Sequence, residues 1–376
     1  MGNNAPEEEG PMTRPLRGRS LLFCVLCLCI GYSQAAELPK TKWKVMRNPA
    51  KHGWSPEKLK AAFDFAKASG SSALMVVQDG AVVKEAGAID KKISSYSIRK
   101  SLVSALYGIY SAEGVIDINQ TLEQLGIDDN PPALTKGEQQ ARIVDLLRAR
   151  SGVYHPVDFE TQYMIKIRPD RGSHAPGTFW YYNNWDFNVL GTILEKKTGQ
   201  PLGEAFYRRI ALPIGMQDFK PTDVYYIAGP ISMHRAYHFE ITARDLARFG
   251  LLYLRKGKWG NRQIIPEAWV EKNTHADEMI RWHDADAGGY ENLWWLEYKG
   301  SHIYGSGLPA GSYAASGAGV HVVMVIPSRR LVIVNRVNND PPQKDPQTVA
   351  LPGEKPLLPT AKMGEILKMI LDAEKP

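Results

Sequence analysis

The sequence predicts an α/β chain of the α+β kind: an antiparallel sheet built from both chain ends, flanked by helices, with a mostly helical insert. Strongly apolar, β-branched runs lie near both ends, at 73–78 with 81–85 and at 320–326 with 331–336. Apolar residues at helical spacing fill the middle. No internal repeat or low-complexity tract interrupts this order. The α/β part is expected to comprise about 36–96 plus 290–376, and the helical part about 97–289. An active site would fall between the sheet and the insert.

Residues 1–35 read as an export signal. Arg14, Arg17 and Arg19 precede an apolar run at 21–30, and Ser33-Gln34-Ala35 offers small residues for cleavage. The run is shorter than the about 20 residues that span a bilayer. The acidic residues ahead of it make Met12 a second candidate start. Cys24, Cys27 and Cys29 all lie in this segment, so the processed chain is expected to have no disulfide, thiolate metal site or cysteine nucleophile. None of the three has the small residue before it that lipid attachment needs. The expectation is therefore a periplasmic or secreted protein with no stable membrane anchor after signal removal.

Ser55 caps a short amphipathic helix through Leu59, Ala62, Phe63 and Ala66, with Pro56 at its first position. Asp79-Gly80 turns the hairpin 73–85. Residues 96–115 form a helix that is apolar or small on nearly every side, with Gly114 as its stop. Residues 117–130 read as an irregular connection, and 143–147 as a short helix ending near Ser151-Gly152. The turn Pro176-Gly177-Thr178 feeds an aromatic stretch at 180–185, then a helix with Phe187, Leu190 and Leu194 on one face closes at Gly199. Thr242 and Asp245 predict a capping box opening another helix. A terminal helix carries Met363, Ile366, Leu367 and Ile370.

With 376 residues, 44% hydrophobic and 23% charged, the chain can bury a sizeable core. The net charge of +6 comes from scattered Lys and Arg. No basic run with interleaved aromatics points to nucleic acid.

The first turn of the 96–115 helix carries Ser97 and Lys100, three apart and so on one face. A helix N-terminus also favours an alkoxide forming there. A serine hydroxyl is a weak nucleophile unless a base takes its proton. Bringing a lysine from about 10.4 to near 7 costs about 4–5 kcal/mol, within what burial supplies. The same spacing recurs at Ser55-Pro-Glu-Lys58, where a plain helix cap suffices, and a cap is an alternative for Ser97 as well. His234, His238, His283 and Asp284 lack the ligand pattern of a zinc site. His155 and His321 are the histidines expected to line the cleft. No metal or cofactor is expected.

Taken together, the motifs resemble the penicillin-binding-protein/β-lactamase superfamily of serine hydrolases, particularly its class C-like and esterase-like branch. Ser97-Ile-Arg-Lys100, Tyr182-Asn183-Asn184 and Ala315-Ser316-Gly317 occur in family order over roughly 55–372. The resemblance implies a β-lactamase/transpeptidase-like fold and an acyl-enzyme on Ser97. Lys100 or Tyr182 would act as base, with Asn184 orienting Lys100 and the substrate. The backbone N–H groups of Ser97 and Ala318 would form the oxyanion hole, and Ser316, Gly317 and Trp180 would contact substrate. Ala315 stands where β-lactamases and D-Ala-D-Ala peptidases carry a cation for the substrate carboxylate. That departure favours carboxylic esters or small amides over β-lactams. An aromatic set of Trp180, Tyr181, Trp185, Trp294 and Trp295 would suit an apolar acyl or alcohol group. The alternatives are a D-amino-acid amidase, DD-peptidase or weak β-lactamase, and, from another class, a non-catalytic ligand-binding relative.

Overall fold

Strands from opposite ends of the chain pair at the centre of one sheet in the computed structural model, which describes residues 1–2, 38–39, 41–338 and 358–375. The chain divides into a short unit, 1–35, and a large one, 36–376; the expected export segment and its cysteines lie outside the described residues. Among the described residues no helix is long and apolar enough to cross a membrane.

The main sheet comprises β1 (Lys44–Val45), β2 (Ala73–Gln78), β3 (Ala81–Gly87), β4 (Gly289–Glu291), β5 (Trp294–Leu296), β6 (Tyr313–Gly317), β7 (His321–Ile326) and β8 (Leu331–Arg336). Their order is β1-β3-β2-β8-β7-β6-β5-β4. All neighbours are antiparallel except β1 with β3. The joining pair, β2 with β8, runs in register from Leu331 opposite Gln78 to Arg336 opposite Ala73. Every residue of β2, β7 and β8 is buried, which is why these strands read as continuous apolar runs.

Helices cover both faces. Leu74, Val76, Met324 and Ile333 point to one side, against α1 (Pro56–Ala68) and the C-terminal α5 (Thr360–Ala373). Met75, Val77, Val323 and Val332 point to the other, in one core with α2 (Ile98–Ala112), α3 (Asn184–Thr198) and α4 (Ala243–Leu254). Gly250 lets α4 press onto the sheet, since a Cβ there would stand 2.5 Å from Val332 Cγ1. Gly108 does the same for α2 against the Trp269 ring.

Three expectations are corrected in detail. The connection 117–130 holds a one-turn helix, Leu122–Leu125, opened by a reciprocal Thr121–Gln124 capping box whose Thr-x-x-Gln spacing is itself the signature of a helix start. Thr242 accepts from Asp245 N (3.2 Å), but the Asp245 carboxylate instead receives Gln217, Asp218 and Phe219 N–H groups. A second sheet is formed by Ile93–Ser94, just ahead of the insert, with Ala236–Ile241 and Val224–Ile227 inside it. Its first strand delivers the chain into Ser97.

Candidate active site

The segment before α2 is tied down at each residue. Ser94 pairs with Glu240 in the small sheet, and Ser95 N donates to Phe239 O (2.7 Å). Tyr96 takes a left-handed φ of 46°, a conformation that a bulky residue holds only when its surroundings impose it. Ser97 then occupies the cap position of α2 with helical backbone angles and no capping bond from its side chain. The hydroxyl is turned to Lys100 instead.

Lys100 is 1% exposed, and its Nζ lies 2.9 Å from Ser97 Oγ, 2.7 Å from Tyr182 OH and 2.9 Å from Asn184 Oδ1. Tyr182 and Asn184 reach it because α3 begins there, with Asn183 as N-cap accepting from Trp185 N. Asn184 Nδ2 donates to Phe159 O (2.5 Å), which fixes the amide with its oxygen toward the lysine.

Burial, and then the adjacent Arg99 charge, hold Lys100 well below the ordinary lysine range. The ring faces of Tyr182 and Phe187, 4.1 and 4.2 Å from Nζ, favour the charged form. Desolvation of the fully buried ammonium, beside a second buried cation, opposes them. Burial drives Tyr182 the opposite way, well above a free phenol, with its Ser97 hydrogen bond and Arg99 opposing. Both groups are thus pushed toward neutrality. A neutral amine has two N–H groups and one lone pair. That count fits two acceptors, Asn184 Oδ1 and the Tyr182 oxygen, and one donor, the Ser97 hydroxyl.

The third motif lies on β6. Ala315 is fully buried in the α2-side core, Gly317 stands directly opposite His321, and Ala318 is exposed just past the strand. Ser316 is half-buried, its Oγ 2.6 Å from Tyr304 OH. Of the expected aromatic set, Trp180 and Trp295 lie beside Tyr182, with ring centroids 6.4 and 5.4 Å away. The others do not. Trp185 is buried with its indole N–H on Asp129 (2.6 Å), Trp294 packs on Tyr253, and Tyr181 OH donates to Met164 O. Trp282, at 5.2 Å, and Tyr290, at 5.8 Å, complete the aromatic wall and were not anticipated. Each sits in a short strand whose pairing carries no local motif.

The two histidines expected in the cleft are elsewhere. His155 is 2% exposed, with ring nitrogens at the Pro156 and Asn130 carbonyls (2.8 and 3.0 Å) and Asp129 at 3.7 Å. It braces loops. His321 is fully buried, accepting from Arg336 Nε (3.0 Å) and packing on Tyr96. His234 likewise meets Asp128 O and Thr192 Oγ1, while His238 stacks on Tyr225. Among the described residues no three His, Cys, Asp or Glu side chains group as a metal site.

A family model described as Beta-lactamase matches residues 60–351. Curated relatives include putative D-alanyl-D-alanine carboxypeptidases of Salmonella paratyphi A and Salmonella enteritidis, 25% and 23% identical over 262 residues. Each alignment covers 62% of this chain, and the chain spans 59% of the length of these relatives. Among solved structures, a putative 6-aminohexanoate-dimer hydrolase from Bacillus anthracis is similar with a TM-score of 0.60 at 20% identity, covering 82% of this chain and 80% of that one. A family VIII carboxylesterase gives 0.58 at 16%, covering 85% and 98%. A penicillin-binding protein homolog from Caulobacter crescentus gives 0.56 at 16%, covering 83% and 99%. These likenesses show a β-lactamase/transpeptidase-like fold.

Proposed function

The chain belongs to the Beta-lactamase family of serine hydrolases, and we propose that it hydrolyses carboxylic esters or small amides through an acyl-enzyme on Ser97. One observation carries this reading: a buried lysine held below its ordinary range stands within hydrogen-bond distance of Ser97, Tyr182 and Asn184 at once.

The chemistry follows from those contacts. Neutral Lys100 takes the Ser97 proton as Oγ attacks the carbonyl carbon, and the C=O pair moves onto oxygen. The N–H groups of Ser97 and Ala318 receive that oxyanion. Its collapse expels the alcohol or amine, which takes its proton from the Tyr182 hydroxyl while Lys100 ammonium returns one to Tyr182. Water then attacks the acyl-Ser97 ester with the same groups serving as base and acid, and the carboxylic acid leaves. Lys100 is favoured as first base because burial lowers it and raises Tyr182, a rise that the Ser97 bond and Arg99 offset only in part.

The substrate class rests on the same place. The scissile group would lie beside the Trp180, Trp282 and Trp295 rings, with buried Ala315 where a carboxylate-binding cation would otherwise stand. Peptidase action on D-Ala-D-Ala termini, suggested by the names of the curated relatives, is the second reading. Turnover of p-nitrophenyl butyrate, nitrocefin and a D-Ala-D-Ala peptide separates the two. The expected order has the ester first by at least about tenfold in kcat/KM, and a preference for the peptide overturns the ester reading. The pattern of residues 1–35 supports export to the periplasm or outside. An N-terminal sequence of the secreted protein beginning at Ala36 is the expected result.

A further inference from the structure

We propose that His321 and Arg336 are positioning residues for the oxyanion hole: they clamp the turn before Ser97 against the turn after β6, and so set the spacing between the Ser97 and Ala318 N–H groups. The proposal rests on the acyl-enzyme reading above.

Arg336 is the last residue of β8 and is fully buried. Its guanidinium gives Nη1 to Ile241 O (2.7 Å), Nη2 to Ile93 O and Ser94 O (2.8 and 2.9 Å), and Nε to His321 Nδ1 (3.0 Å). One rigid fork thus joins the strand pair that leads into Ser97 to the first residue of β7. Because Nε can only donate, His321 Nδ1 accepts, and the ring orientation follows. The ring lies 4.9 Å from that of Tyr96, tilted by 31°. It stands against Tyr96, the residue immediately before Ser97, whose left-handed φ costs about 1–3 kcal/mol and needs outside support.

Gly317 completes the contact from the other side. A Cβ there would stand 2.7 Å from Ser95 O, 3.1 Å from Tyr96 Cβ and 3.3 Å from His321 Cβ. The two turns therefore meet without a spacer at Gly317 and Tyr96. The next backbone nitrogen after each is the one proposed to hold the oxyanion. A displacement of about 1 Å at such a contact is enough to cost about 10²-fold in rate. His321 is 0% exposed, so it acts on the reaction through this packing rather than by touching substrate.

The test compares wild type with His321→Leu, His321→Phe and Arg336→Lys on p-nitrophenyl butyrate, at a temperature where circular dichroism shows each folded. For His321→Leu we expect kcat to fall about 10²-fold with KM within about twofold. The Ki of phenylboronic acid, whose tetrahedral Ser97 adduct needs the same N–H pair, should rise in step while the Ki of butyrate stays unchanged. His321→Phe keeps a ring on Tyr96 and should recover at least about tenfold of the loss, and Arg336→Lys should resemble His321→Leu. A folded His321→Leu with wild-type kcat, or one changed only in KM, overturns the proposal while leaving the acyl-enzyme intact. A wild type without turnover and without a fluorophosphonate adduct overturns the reading beneath it instead.

Discussion

Two Ser-x-x-Lys sequences open two helices of this chain, and they behave as opposites. At α1, Ser55 accepts from Lys58 N (3.3 Å), Pro56 holds the first turn, and exposed Lys58 reaches out to Asp372 O (3.2 Å). At α2, Ser97 leaves the helix N–H groups alone and meets Lys100 Nζ instead. The four residues do not make the difference; the surroundings do. α1 buries one stripe, Leu59, Ala62, Phe63 and Ala66, whereas every residue of α2 from Ile98 to Tyr110 is buried. A lysine on the first kind of helix extends into water. On the second it is stripped of water, crowded by Arg99, and left with neutral partners that suit an amine.

The comparison is sharpened most by removing each serine. Ser97→Ala should lower kcat/KM for an ester by at least about 10⁴-fold, as loss of a nucleophile does, while Ser55→Ala leaves it unchanged. Lys100→Met should lower turnover comparably yet leave the fold intact or firmer at neutral pH, since a poorly hydrated amine is replaced by a side chain of similar shape. The sign follows from linkage. The folded protein holds Lys100 below its unfolded value, so the unfolded chain binds more protons, and the wild type gains stability as pH rises from the folded value toward about 10.4. Urea midpoints measured across that range should show a gain in the wild type that is smaller in Lys100→Met. An equal gain in both would contradict a neutral Lys100.

Tyr182→Phe should lower kcat by about 10²–10⁴-fold, the usual worth of a positioned acid. The loss should shrink for esters with nitrophenol leaving groups, which need little protonation. Arg99→Met should have a smaller and more specific effect. Removing the adjacent charge lets Lys100 hold its proton to higher pH, so the acid limb of kcat/KM against pH should move upward. A uniform fall with an unmoved limb would mean that Arg99 acts only through its bond to Tyr237 O. The smallest effect belongs to the surface motif, where Ser55→Ala should cost about 1 kcal/mol of stability through the lost cap.

The parts legible in the sequence are those whose environment is uniform along the chain. The strands β2, β7 and β8 are apolar at almost every position because both faces are covered, and α2 is apolar or small because helices and sheet surround it. The spacing of Ser97 and Lys100, and of Tyr182 and Asn184, is local to two helix starts, so both pairs could be read. What joins the pairs is long-range, and so is most of what was missed. Trp282 and Tyr290 reach Tyr182 from short hairpin strands 100 and 108 residues further along the chain. His155 and His321 turn inward, His155 to the carbonyls of Pro156 and Asn130 and His321 to Arg336 on the neighbouring strand, because no local motif announces these partners. The Asp245 carboxylate caps the 217–219 turn for the same reason.

Ser97 is activated by its neighbours, whereas Ser55, at the matching position of α1, is not. That difference is tested most directly by intact-protein mass after exposure to a fluorophosphonate, on wild type, Ser97→Ala and Ser55→Ala. A single adduct on wild type and on Ser55→Ala, absent from Ser97→Ala, is the predicted result. An adduct that persists in Ser97→Ala, or none on the folded wild type, would contradict the account.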